Sequence, residues 1–215
     1  MLPTSVRDSR DGSRSLLSHV KALPRETKEA HNSTMVGATP REPDGAKLRE
    51  AVHFIAKKMA LRPEKLGAVK LQKIIWYFDV KSYASTRRSA TGAIFIKGKF
   101  GPFTEQMDSV VRELVQADRL YTDTEAFFEN EKTRFIGKGA TDLSVFSDQE
   151  KRWLDEISTD LCENHTAGSI SERSHGAIWR MAQYGEVIPL AATAIRLRAP
   201  SPEAIEESGR ESGLA

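Results

Sequence analysis

The sequence predicts a mainly α fold with a small antiparallel β-sheet, an α+β domain, and three observations carry that prediction. Ile74, Ile75, Trp76, Tyr77 and Phe78 stand in consecutive positions within 68–86, a stretch free of Gly and Pro. A helix there is apolar on every side and has to be buried on every side. Three shorter stretches around it carry apolar residues at helical spacing. The run 121–139 instead groups its apolar residues into two clusters separated by polar ones, which is the pattern of a β-hairpin.

The elements follow in chain order. Leu48, Val52, Ile55 and Met59 recur at helical spacing and predict a first amphipathic helix that stops near Arg62 and Pro63. The apolar helix over 68–86 comes next. Residues 93–99 alternate loosely and are partly β-branched or aromatic, which favours a short strand, and Gly101-Pro102 reads as the turn that closes it. Thr104 is placed to cap the following helix, Glu105 complements its positive end, and Met107, Val110, Val111 and Leu114 form a buried stripe running to about Asp118. In the hairpin over 121–139, the apolar clusters 126–128 and 134–136 flank a polar connection at 129–133. Ser147 and Glu150 make a capping-box pattern before Trp153, Leu154, Ile157 and Leu161, so a helix is predicted over 148–164. A short helix over 167–175 and a further turn or two over 176–184 precede Gly185.

Composition limits the function classes. With 215 residues and 39% hydrophobic content the chain supports one ordinary core, expected over 46–190. Residues 1–45 hold Pro3, Pro24, Pro40 and Pro43 among Ser, Arg and Asp, bury too little to offset ordering entropy, and read as a disordered extension with a short helix near 15–22. Met35, close to the domain, is an alternative translation start. Residues 191–215, with Pro200 and Pro202, read as a flexible tail with a short helix from Pro202. A formal charge of +2 with 29% charged residues does not by itself imply a nucleic-acid partner. Cys162 is the single cysteine, which excludes an internal disulfide and fits a reducing cytoplasm. No stretch reaches the ~18 apolar residues of a membrane span, so a soluble cytoplasmic protein without membrane contact is expected.

Candidate chemistry is sparse. Cys162 and His165 have Cys-x-x-His spacing with His175 further on, yet zinc normally takes four ligands and these supply three. The better reading makes Cys162 a semi-buried helix residue and places His165 at that helix's C-terminus, where a cation is favoured. A thiol nucleophile drawn from the same residues lacks a positioning element. No catalytic residue, metal or cofactor is therefore expected. Gly98-Lys99-Phe100-Gly101 spells the GxxG of a KH-type RNA clamp, but that clamp joins two helices and this one leaves a strand. Glycine at a sharp turn is the simpler account. Gly137-Lys138-Gly139 lacks phosphate-loop spacing and reads as the exit from the hairpin. His175 and Trp179 lie four apart, and a packed pair is favoured over direct partner contact. Trp76 is first a core residue.

The order KLQKIIWYF, a strand ending in KGKFGPF, the helix TEQMDSVVREL and finally SHGAIWRMAQYGEVIPL resembles the Panacea domain of SocA-like bacterial antitoxins, over roughly 46–190. The marks of that resemblance are Lys70, Leu71, Gln72 and Lys73 opening the helix of Trp76 and Tyr77, then Gly101 and Pro102, then His175 and Trp179. Phe103 departs from the small apolar residue commoner after the Gly-Pro pair. The resemblance implies a non-enzymatic antitoxin whose partner is a cognate protein toxin encoded by the adjacent gene. Two alternatives come with it: an adaptor that delivers the toxin to an AAA+ protease, and a phage- or prophage-associated nucleic-acid-binding protein. The expected partner-binding surface is the turn of Lys97, Lys99, Phe100, Gly101, Pro102 and Phe103, with the hairpin tip near Asn130, because exposed aromatics flanked by charge are the composition of an interface hot spot.

Overall fold

The computed structural model describes residues 45–127 and 130–194, and of residues 125–127, 130 and 131 the backbone alone. The expected disordered extension, the alternative start at Met35 and the tail beyond Ala194 lie outside the described residues. Helix α1 (Gly45–Lys58) and helix α2 (Ala68–Thr86) are joined through a 3-10 turn at Pro63–Lys65. As its sequence requires, α2 is buried around most of its circumference, by Leu71, Lys73, Ile74, Ile75, Trp76, Phe78, Asp79 and Ser82. Burying a side chain such as Phe78 completely is worth about 2 to 3 kcal/mol. Helix α2 ends where Arg87 turns left-handed and donates its N–H back to the Tyr83 carbonyl at 2.9 Å.

Strands β1 (Ile96–Gly98) and β2 (Gly101–Phe103) pair antiparallel, with Gly98 opposite Gly101 and Lys97 opposite Pro102. This corrects the expectation that Gly101-Pro102 forms the turn. The turn is Lys99-Phe100, and Gly-Pro belongs to the second strand. The physical reason lies in Gly101, whose φ of +97° follows that turn directly, a conformation glycine adopts without steric cost. Pro102 is tolerated because β2 has no strand partner on its outer edge. On the far edge of β1, Lys97 N–H donates to the Glu186 carbonyl, Gly185 N–H to the Lys97 carbonyl and Ile188 N–H to the Phe95 carbonyl, at 2.8 to 2.9 Å. Residues 185–188 thus act as a third rung beside β1.

Helix α3 (Gln106–Gln116) presents Met107, Val110, Val111 and Leu114 to the core. The Thr104 hydroxyl accepts from the Gln106 N–H at 3.4 Å, so Thr104 supplies a long cap from just outside the helix. The helix stops at Gln116, short of Asp118, because Asp118 takes a left-handed φ of 51° and Arg119 N–H closes back on the Leu114 carbonyl.

Strands β3 (Leu120–Phe127) and β4 (Asn130–Gly137) form the hairpin, with Phe127 opposite Asn130. The polar stretch expected as a long connection mostly belongs to β4. A two-stranded ribbon with half-exposed Lys132, Thr133 and Arg134 has no need for apolar residues there. The side chains at the hairpin tip, including Asn130, lie outside the described residues.

Helix α4 (Asp148–Glu163) begins at the predicted capping box: Ser147 Oγ accepts from the Glu150 N–H at 3.2 Å, and Glu150 Oε2 accepts from the Ser147 N–H at 2.8 Å. Helices α5 (Ala167–Ser174), α6 (Ala177–Met181) and α7 (Leu190–Thr193) follow. The ordered chain therefore continues through residues 191–193, which had been assigned to the tail. Pro189 starts that last turn and α2 supports it. Helix α2 is touched by α1, α4, α5, α7, β2 and β4, so it is the post around which the fold packs. Among the described residues no helix is long and apolar enough to cross a membrane.

Candidate functional site

The first turns of α2 form a set of ties to neighbouring elements. Lys70 Nζ donates to the Cys162 carbonyl of α4 at 3.1 Å. Leu71 is fully buried. Gln72 clamps the exit of β2 from both sides, donating from Nε2 to the Thr104 carbonyl at 3.1 Å and accepting the Thr104 N–H on Oε1 at 3.0 Å. Lys73, also buried, donates to the Pro102 carbonyl at 2.5 Å. Removal from water lowers its pKa to about 7.

These ties press β2 against α5. A Cβ on Gly101 would collide with Ser174 Oγ and lie 3.0 Å from Lys73 Cε and Nζ, so glycine there is required by proximity as well as by φ. Beyond Ser174, His175 stacks on Trp179 with ring centroids 3.7 Å apart and planes 9° from parallel. The two do not share one helix. His175 caps the end of α5 and Trp179 sits in α6, and the bend between them brings the rings face to face. Lys97 Nζ lies 4.3 Å from the Trp179 ring centroid and donates to the Ala182 carbonyl at 2.8 Å. Burial, and then the charges of Lys73, Lys97 and Arg180, lower the His175 pKa, with Glu172 opposing.

This geometry corrects the expected surface. Gly101 and Pro102 are buried, Lys97 and Phe103 are half-buried, and only Lys99 and Phe100 stand out at the tip, Phe100 with 53% of its surface exposed. The Lys99 ammonium lies 5.4 Å from the Phe100 ring centroid. Trp76, by contrast, is in the core, edge-on to Phe95 at 4.9 Å.

A cavity of about 380 Å³ opens beside the stack, bounded by Trp76, Tyr77, Arg173, Ile178, Trp179 and Ala192. A second hollow of about 270 Å³ lies along α2 toward α4 and shares Tyr77, Val80 and Arg173 with the first. Tyr77 Oη, Trp179 Nε1 and His175 Nε2 are buried and have no hydrogen-bond partner among the described residues. Burial pushes the Tyr77 hydroxyl above its ordinary pKa, with Arg173 opposing, so it is a neutral donor at neutral pH.

The model of the family described as Antitoxin SocA-like, Panacea domain, matches residues 71–180. The chain belongs to this family. No curated protein and no solved structure matches it. The Panacea match is shorter than the 46–190 expected from pattern: it leaves out Lys70 and helix α1, although α1 packs into the same core. It encloses the Lys73–Pro102 tie, the close approach at Gly101 and the His175–Trp179 stack, so these marks of the resemblance are linked within the Panacea segment.

The remaining candidates are placed apart. Cys162 is buried, burial pushes its thiol pKa up, and His165 instead faces Asp160 at 3.6 Å and Arg173 at 3.3 Å. Among the described residues no group of three or more His, Cys, Asp or Glu is placed to hold a metal ion. Sequence reasoning missed a buried polar network that ties α1, which precedes the Panacea match, to Arg119 and Lys138 within it. Arg119 donates to both Glu50 oxygens at 2.7 Å and to His53 Nδ1 at 2.7 Å, while His53 Nε2 bonds the Lys138 carbonyl at 2.7 Å. Burial raises the Glu50 pKa, but the Arg119 bond and the Asp142 N–H outweigh it and hold the carboxyl below its ordinary value. The signal available was polar residues on the apolar face of α1, at Glu50 and His53.

Proposed function

We propose that this chain neutralises a protein toxin by binding it directly, with no bond made or broken by its own side chains. The observation that carries the reading is membership of the SocA-like antitoxin family over 71–180. An aromatic at an exposed tip, Phe100, supports it, since aromatic residues are enriched in interface cores. The toxin is the product of the neighbouring gene, met in the cytoplasm. Co-expression with that product tests the proposal: growth should be arrested by the neighbour alone and restored by this chain, and the two purified proteins should elute as one complex. Turnover of a substrate by the purified chain, or a neighbour whose toxicity it leaves untouched, overturns it. A fall in toxin half-life that requires an AAA+ unfoldase would identify delivery to a protease instead of direct blocking.

A further inference from the structure

We infer that the groove along α2, with α4 on one side and α5 to α7 on the other, seats an acidic segment of the bound toxin, with one aliphatic or aromatic side chain in the cavity and carboxylates on Arg173 and Lys81. This rests on the toxin binding proposed above and names its surface. The two hollows share Tyr77, Val80 and Arg173 as walls, so they lie side by side along the helix. The larger is of the size that takes a bulky apolar group, since ligand sites start at about 300 Å³.

Charge decides the class of occupant. Arg173 and Lys81 line the smaller hollow, and neither has a carboxylate partner among the described residues. Asp160 is the one carboxylate among the residues that line it, against the two cations. The smaller hollow therefore carries a net positive charge. Tyr77 and Trp179 line the larger hollow with their rings. Tyr, Trp and Arg converging on a pocket is the composition of an interface anchor site.

The test uses the full chain and the neighbouring gene product, with affinity measured at low and at high salt. Lys81→Glu/Arg173→Glu should weaken binding at least about tenfold, with most of the loss vanishing at high salt. Ala177→Trp, which grows from an exposed position into the larger hollow, should weaken it by a similar factor. If the wild type neutralises the toxin and both variants bind as it does, the groove assignment is overturned and the function stands. If the wild type binds no toxin, both fall. Self-association abolished by Ala177→Trp with toxin affinity intact, or displacement of the toxin by a single-stranded oligonucleotide, also overturns the assignment, in favour of a second copy or of nucleic acid.

Discussion

Lys73 on α2 places its ammonium 2.5 Å from the carbonyl oxygen of Pro102, in a position with almost no access to water. That bond joins the centre of the core to the second strand of the small hairpin. It also makes a titratable group part of the packing. In the unfolded chain a lysine holds its proton up to its ordinary value of 10.5, and in the fold only up to about 7. Between those values the unfolded state binds more protons, so stability rises with pH across that window, by up to about 1.4 kcal/mol per unit. Below 7 both states are protonated and the contribution is flat. Urea unfolding of the wild type against Lys73→Met should show a stability difference that moves in favour of the wild type from pH 7 toward pH 10. A pH-independent difference would mean that the ammonium is hydrated.

The close approach at Gly101 gives a second test. Gly101→Ala meets both a left-handed φ of +97° and the Ser174 hydroxyl, so it should cost at least about 2 kcal/mol. Removing that hydroxyl with Ser174→Ala should recover part of the loss, leaving the backbone component. Thermal unfolding of the single and double variants separates the two. Full additivity would show that the Ser174 contact does not limit the position.

Lys97 and Lys99, two residues apart, should behave differently. Lys97 lies over the Trp179 ring and bonds the Ala182 carbonyl, so Lys97→Ala should lower stability by about 1 kcal/mol. Lys99 is exposed at the tip, so Lys99→Ala should leave stability unchanged and, with Phe100→Ala, lower affinity for the toxin. Melting temperatures and binding constants for the three variants decide which residues belong to the surface. A stability loss confined to Lys99→Ala would reverse the assignment.

What was legible in the sequence depended on how local the cause was. The all-round apolar run of α2 admits one environment, and Ser147 with Glu150 fixes a helix start within four residues, so both were readable. The Gly-Pro pair reads locally as a turn because both residues are frequent in turns. In the fold the turn is one step earlier, and beside the φ of Gly101 the pair is held in β2 by contacts with Lys73 and Ser174, which are distant in sequence. The rung at 185–188 was invisible for a similar reason: its hydrogen bonds depend on β1, some 90 residues earlier. The same holds for the groove. Tyr77, Arg173 and Trp179 carry no local pattern that distinguishes a half-buried wall from the core, and the space they line is set by the packing of α5 and α7 against α2.

Asp79 offers a buried carboxylate whose titration runs opposite to that of Lys73. It is fully buried on α2 and accepts from the Thr91 N–H at 2.8 Å and the Thr91 hydroxyl at 2.5 Å. Burial raises its pKa to about 6, with the Thr91 bonds opposing. The folded state therefore binds more protons than the unfolded one between about 4 and 6, and stability on this account is fully present below that window and declines as pH rises through it. Asp79→Asn removes the titration while its amide oxygen still accepts the Thr91 N–H, so at neutral pH it should fall within about 1 kcal/mol of the wild type. Asp79→Ala leaves that N–H without a partner and adds a void, and should cost about 2 to 4 kcal/mol. Urea unfolding of the three proteins from pH 4 to pH 7 checks both statements. The Asn variant should gain on the wild type as pH rises through the window. A pH-independent difference would place the Asp79 carboxylate in water, and a wild type that instead gains would mean that the Thr91 bonds outweigh burial.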